Sequence, residues 1–322
     1  MKKRITAMML TIFILCTLFT ACGEVKENNA DKLNIVCTVF PYYDWVRNIT
    51  EGAENVNVTL LLDSGTDLHS YQPTAADIVT ITSSDIFIYT GGESDKWVDD
   101  VLKTSSDSSV TVIDLIESLP ETELYCVEAI GEEEEHEHEE GEAHNHIYDE
   151  HIWLSIKNSI KYAEIIKNAL TEKNGENKEI YEANCKRYIE KLDELNKSYE
   201  AKISSAAMDT VIFADRFPFI YLVKDYNINY YAAFSGCSAE SEASFETVTA
   251  LAQKTDELGL SYILISETSD GSVANTVKNS TMSKDQQILT LNALQSVTKD
   301  KLSCSYIEVM SDNLDILITA LS

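Results

Sequence analysis

Short runs of β-branched and aliphatic residues alternate with amphipathic stretches along most of this chain, and one purely helical stretch interrupts the alternation. The first strand-like run is Leu33 to Phe40, followed by Val56 to Leu62, Ile86 to Thr90 and Val110 to Ile113. Helical stretches such as Tyr43 to Glu51 and Ala75 to Ser83 lie between them. Strands alternating with helices predict βαβ units and a mostly parallel sheet. From Gly175 to Ser205 the spacing of Ile180, Ile189, Leu192, Leu195, Tyr199 and Ile203 is that of a single helix. At roughly thirty residues it is far longer than the mean helix of about 11–12, long enough to act as a rigid spine. Strand and helix patterns then resume at Thr210 to Ala214, Ser244 to Gly259, Ser261 to Ser266, Leu302 to Val309 and Leu314 to Leu321. The expected organisation is an α/β lobe over 33–174, a linking helix over 175–205 and a second α/β lobe over 206–322.

The N-terminal residues speak to compartment. Lys2, Lys3 and Arg4 precede an apolar run from Ile5 to Thr20, the length of a signal h-region and short of the roughly 20 residues a spanning helix needs. The run ends in Phe19-Thr20-Ala21-Cys22, which resembles a bacterial lipobox. Residues 1–21 are therefore expected to be a lipoprotein signal peptide, with acylated Cys22 holding the chain at the outer face of a membrane. A polar tether over 22–32 would follow, and the remainder is expected to be extracytoplasmic and monomeric.

Charge and cysteine usage exclude some classes. With 25 basic residues against 54 acidic ones the net charge is −29, which argues against nucleic-acid binding, since phosphate contacts need clustered Lys and Arg. Besides Cys16 and Cys22 the cysteines are Cys37, Cys126, Cys185, Cys237 and Cys304, widely spaced and without a C-x-x-C pair. That is neither a disulfide framework nor a thiolate zinc knuckle, and most of these thiols are expected to be small buried hydrophobes. The segment 128–150 carries eleven acids and four histidines (His136, His138, His144 and His146) with almost nothing apolar, so it is expected to be a mobile loop.

Only His69 and His151 lie beside apparent structured elements. His69 follows the Val56 to Leu62 strand within Asp67-Leu-His-Ser-Tyr-Gln-Pro-Thr-Ala-Ala-Asp77, and His151 opens a helical stretch in Asp149-Glu-His-Ile-Trp-Leu-Ser155. A lone histidine is commonly a structural residue, but two at strand-to-helix junctions stand where α/β folds build their sites, and imidazole is the commonest metal ligand.

The ordered set Phe40-Pro41-Tyr42-Tyr43, Val58 to Leu62, Asp67 to Asp77 and Glu150-His-Ile-Trp-Leu154 resembles the metal-binding proteins that serve ABC importers of zinc and manganese. The likeness covers nearly all of the chain beyond its first segment. Zinc-binding members carry an acidic, histidine-rich loop just before their second ligand histidine, where residues 128–150 lie. The resemblance implies two α/β lobes with parallel-type sheets, joined by one backbone helix, with the ion in the cleft between them. It implies His69 and His151 as ligands of the first lobe and partners in a membrane permease and its ATPase. Relatives place a third histidine or a glutamate shortly before an aromatic residue that opens the next helix. Here that stretch reads Phe213-Ala-Asp-Arg-Phe-Pro-Phe-Ile-Tyr221, which makes Asp215 the candidate, with a helix N-cap as its other reading. Glu267, at the end of Tyr262 to Ser266, is the expected fourth ligand, with Asp270 just beyond it and Cys237 a further candidate.

Two histidines and two carboxylates make a harder donor set than three histidines, which suits Mn2+. The histidine-rich loop and the higher intrinsic affinity of zinc favour Zn2+ as cargo. A secreted zinc hydrolase would need an open coordination position and a base; the chain has no H-E-x-x-H, no G-x-S-x-G and no phosphate-cradling glycine loop. A surface adhesin is a third class, and no motif encodes it. The expected function is capture of Zn2+ without catalysis.

Overall fold

The computed structural model describes residues 32–104, 109–125, 148–236, 243–295, 297–298 and 302–322. Cys22 and the rest of residues 1–31, where a signal peptide and tether were expected, the histidines His136, His138, His144 and His146, and the thiols Cys126 and Cys237 lie outside the described residues. Among the described residues no helix is long and apolar enough to cross a membrane.

Two four-stranded sheets share one plan. In the first, β1 (Leu33–Cys37), β2 (Val56–Leu60), β3 (Ile86–Tyr89) and β4 (Thr111–Asp114) lie in the order β2-β1-β3-β4, all parallel. In the second, β5 (Thr210–Phe217), β6 (Asn229–Ser235), β7 (Tyr262–Ser266) and β8 (Gln287–Leu291) lie in the order β6-β5-β7-β8, again parallel. A parallel ladder requires a crossover between partners, and the helical stretches supply it. The first strand is shorter than its apolar run. Pro41 has no N–H to give a ladder and fits the first turn of a helix, so the chain turns at Val39 into α1 (Phe40–Ile49). The next helix, α2 (Ala75–Thr82), starts at a reciprocal cap in which Thr74 and Asp77 satisfy each other's backbone amides.

After α3 (Trp97–Thr104) and α4 (Ile156–Lys173) comes α5 (Lys178–Ser204), a helix of 27 residues. Its buried stripe is Tyr181, Asn184, Cys185, Tyr188, Leu192, Leu195 and Tyr199, so Ile180, Ile189 and Ile203 of the apolar pattern flank the packed face instead of forming it. The second lobe contains α6 (Ile220–Asp225), α7 (Phe245–Leu258), α8 (Ser272–Ser280) and α9 (Tyr306–Ala320). The two C-terminal apolar patterns are thus one helix, begun by a cap between Ser305 and Glu308. The spine packs on α1 and α4 from the first lobe and on α9 from the second. Asn184 Nδ2 donates to the carbonyls of Ile49 (3.1 Å) and Glu51 (2.8 Å), while Tyr199 Oη donates to that of Met310 (2.6 Å).

A buried carboxylate ties the lobes a second time. Asp44 on α1 accepts from Arg47 Nη2 at 2.6 Å and from the Tyr306 amide, at the start of α9, at 3.0 Å. Arg47 also donates to the carbonyls of Leu302 (2.7 Å) and Cys304 (3.1 Å). Cys37 and Cys185 are buried free thiols and Cys304 is a partly buried one.

Candidate metal site between the lobes

Two of the candidate residues, His69 and Glu267, sit where the chain leaves the C-terminal ends of β2 and β7, the rule for ligand sites on open parallel sheets. His69 comes from the loop after β2. Asp67 Oδ1 accepts its backbone N–H at 2.9 Å and caps the single turn Leu68–Ser70, which fixes the direction of the imidazole. Its Nδ1 lies 2.8 Å from Ser94 Oγ and 3.3 Å from Glu150 Oε2. Glu150 is held in turn by the Ser94 amide on Oε1 (2.7 Å). Burial pushes the Glu150 carboxyl up, but His69 and Ser94 outweigh it and hold it below its ordinary value. Gly91 and Gly92 make the turn after β3 with φ of +89° and +81°. A Cβ on Gly92 would stand 2.7 Å from Glu150 Oε1, so only glycine lets the backbone approach that carboxylate.

His151 is fully buried and precedes the turn Ile152–Leu154. Asp149 Oδ1 accepts its backbone N–H (2.9 Å) and stands 2.8 Å from its Nδ1. His151 thus sets Nδ1 against a carboxylate and His69 sets its Nδ1 against a hydroxyl with Glu150 beside it, an arrangement that leaves each Nε2 for a ligand. The two Nε2 atoms face each other at 3.3 Å, and Gln295 Oε1 approaches that of His151 at 2.9 Å. Burial works against a charge on His151, but Asp149 and Gln295 overcome it and raise its pKa.

The expected carboxylates stand differently. Asp215 lies within β5 and not at a helix start; its Oδ2 accepts from the Ser266 amide (3.0 Å) and hydroxyl (2.6 Å), bracing β5 against β7. The N-cap reading is thereby corrected: the N-cap position of the following helix falls on Phe219, which makes no side-chain cap, after β5 has run on through Phe217. Glu267 Oε2 accepts from the Ala293 amide at 2.7 Å, while its Oε1 is buried without a hydrogen-bond partner. Burial pushes its carboxyl above the ordinary range, opposed by backbone amides and by His151. Asp270 is exposed and caps Ser272 at 2.8 Å. Among the described residues no three His, Cys, Asp or Glu side chains already stand together as a metal cluster. The structure thus joins His69 to His151 and adds Gln295, Asp149, Glu150 and Ser94, which sequence reasoning passed over. Asp149 and Glu150 were adjacent to His151 in the motif and could have been read as its holders; Gln295 carried no signal.

Asp95 supports the same turn, accepting the amides of Thr90 (3.0 Å) and Gly91 (3.1 Å) on Oδ2. Burial moves its pKa from 3.8 up to about 7. Between those values the folded chain holds a proton that the unfolded chain has released, so stability falls as pH rises through the window. Asp95→Asn keeps an acceptor for both amides and removes the ionisation. The variant is expected to exceed the parent at pH 8 by about 1–3 kcal/mol in urea unfolding, the gap closing by pH 4. A gap independent of pH would refute the assignment.

Two parallel sheets bridged by one long helix, with two imidazoles paired between the lobes, define a two-lobed solute-binding protein. The chain belongs to the family "ZnuA: Zinc-uptake complex component A periplasmic", whose model matches residues 35–320. It is 33% identical over 309 residues to the zinc-binding lipoprotein AdcA of Streptococcus pneumoniae, covering 94% of this chain and 58% of that one. This chain thus spans less than two thirds of that relative's length. The high-affinity zinc uptake system protein ZnuA of Bacillus subtilis is 29% identical over 314 residues, covering 95% of each. Among solved structures, the Zn(II)-bound ZnuA-like domain of S. pneumoniae AdcA superposes with a TM-score of 0.70 at 29% identity, covering 90% of this chain and 99% of that domain.

Proposed function

We propose that this chain is the extracytoplasmic metal-binding component of an ABC importer. It takes Zn2+ between its lobes at His69 and His151 and passes it to a membrane permease driven by a cytoplasmic ATPase. The observation that carries the reading is the 3.3 Å separation of the two Nε2 atoms. Tetrahedral zinc with Zn–N of about 2.0–2.1 Å requires ligand atoms about 3.3–3.4 Å apart, so the imidazoles are already at the edge length of the coordination polyhedron. Glu267, with its unpartnered Oε1, supplies the negative charge, and Asp215 could contribute only through Oδ1. The names of the relatives, zinc-binding and zinc-uptake proteins, favour zinc as cargo, a role of binding rather than catalysis. An acyl group on Cys22 would hold the carrier near its permease. The loop bearing His136, His138, His144 and His146 would gather zinc before it enters the cleft.

Competitive titration of zinc against manganese, with elemental analysis, tests the cargo. One tight zinc equivalent that manganese displaces only in large excess is expected; preferential manganese retention would support the second reading, which the oxygen-rich donors favour. Deleting residues 131–146 is expected to leave the tight equivalent and remove weaker ones. Unchanged stoichiometry would refute the gathering role.

A further inference from the structure

We infer that Arg216 positions His69 from across the cleft, acting through Asp67. The bridge latches the ligand-bearing loop of the first lobe onto the second lobe and slows release of the ion. This rests on the proposal that His69 and His151 hold the ion. Arg216 Nη1 donates to Asp67 Oδ2 at 3.4 Å, and the other oxygen of that carboxylate, Oδ1, accepts the His69 backbone N–H at 2.9 Å. One carboxylate thus joins a β5 side chain to the turn Leu68–Ser70 that aims the His69 imidazole. An irregularity in β5 accompanies the pairing. Phe213 pairs with Ala232 of β6 and Arg216 with Phe234, so β5 contains one residue more than β6 over this interval. Such an extra residue bends a strand and re-aims its side chains, a device common beside functional sites. Asp215 turns to Ser266 within its own sheet, and Arg216 turns to the opposite lobe.

The same loop meets the second lobe at another point. Gly65 N–H donates to the Val297 carbonyl at 3.3 Å, and Ser64 forms an antiparallel bridge with Thr298. The backbone contact holds the start of the loop, and the ion pair holds the end nearest the imidazole. With 30% of the Arg216 side chain and 17% of that of Asp67 open to solvent, the pair is stronger than a surface bridge and still weakened by salt. The sign of the effect separates two roles. A guanidinium that acted only through its field would repel a dication, so its removal would slow release. A latch acts in the opposite sense, because its removal lets the lobes part.

The test uses the full chain loaded with zinc, with release followed by stopped-flow mixing into excess chelator and capture by rapid mixing with zinc. Arg216→Gln is expected to raise the release rate about three- to tenfold, between the ranges of exposed and buried pairs. The freed Asp67 carboxylate should leave capture as fast as in the parent or faster. Asp67→Asn keeps an acceptor for the His69 N–H and should raise release similarly, but it should slow capture, because Arg216 is left unpaired. The double variant should release no faster than the faster single one, and Arg216→Lys should recover part of the loss. Added salt should bring the parental release rate toward that of Arg216→Gln and leave the variant's almost unchanged, a convergence that a merely structural defect would not produce. Should Asp67→Asn fail to fold, the Gln and Lys variants at Arg216 and their salt dependence decide. Release at the parental rate or slower in Arg216→Gln would overturn the latch, as would effects of the two single variants that multiply in the double one. A His69→Ala variant that keeps parental zinc affinity would instead overturn the histidine site on which the inference rests.

Discussion

Replacing His69 and His151 together by alanine is expected to abolish tight zinc binding. Structural zinc sites bind with about 10–16 kcal/mol spread over four ligands, or roughly 2.5–4 kcal/mol for each, and tenfold in affinity corresponds to 1.4 kcal/mol. Each single variant should lose about a hundredfold to a thousandfold, and the pair should bind no more tightly than free imidazoles and acids on a surface. The singles should not be equal. His151 is fully buried and stands between Asp149, Gln295 and His69, whereas His69 keeps 14% of its side chain exposed, beside Ser94 and Glu150. Loss of His151 therefore removes a ligand and frees three neighbours, and it is expected to cost more. Isothermal titration against a competing chelator reads both numbers. Zinc affinity that survives the double replacement would place the site elsewhere.

The second large effect is on stability. Trp153 is buried completely beside His151, with ring centroids 5.3 Å apart. Its indole N–H donates across the cleft to the Ala293 carbonyl, and its own carbonyl accepts from Tyr306 Oη at 2.7 Å. Trp153→Ala is expected to cost about 3–5 kcal/mol, the transfer term plus the cavity left in a core that spans both lobes. Trp153→Phe, which keeps most of the ring but leaves the Ala293 carbonyl without its donor, should cost about 1–3 kcal/mol. Saturating zinc should recover part of either loss, because a ligand that binds only the folded chain adds RT ln(1 + [L]/Kd). Chemical denaturation with and without zinc measures each term. A loss below 1 kcal/mol for the alanine variant would show that the lobes do not depend on this contact.

The pattern of periods reveals much of the architecture, for a local reason. Parallel strands buried on both faces read as continuous apolar runs, and the spine announces itself by length. Its buried face was less legible. Tyr181, Tyr188 and Cys185 look polar or ambiguous in sequence, yet they pack while Ile180 and Ile189 stand at the margin. The strands β6 and β8 escaped notice because Asn229-Tyr-Tyr-Ala-Ala-Phe-Ser235 and Gln287-Ile-Leu-Thr-Leu291 lack a sustained β-branched run; pairing with β5 and β7 makes them strands.

Of the candidate ligands, His69 and His151 could be named from sequence because histidine is scarce outside the acidic segment 128–150 and each lies in a motif beside a structured element. Residue chemistry and local spacing carry that much. Which atoms face one another is a different matter. Gln295 is 144 residues from His151, and Ser266 is 51 from Asp215. Whether Asp215 meets an ion or a serine hydroxyl depends on how β5 is braced against β7. By itself, then, the sequence determined an alternating α/β chain, a long spine and a pair of candidate histidines. Only the tertiary structure showed that Asp215 bonds Ser266, that Glu267 accepts the Ala293 amide and that a neutral amide stands beside the imidazoles. Those outcomes follow from bringing the ends of two separate sheets to one place, which no local pattern encodes.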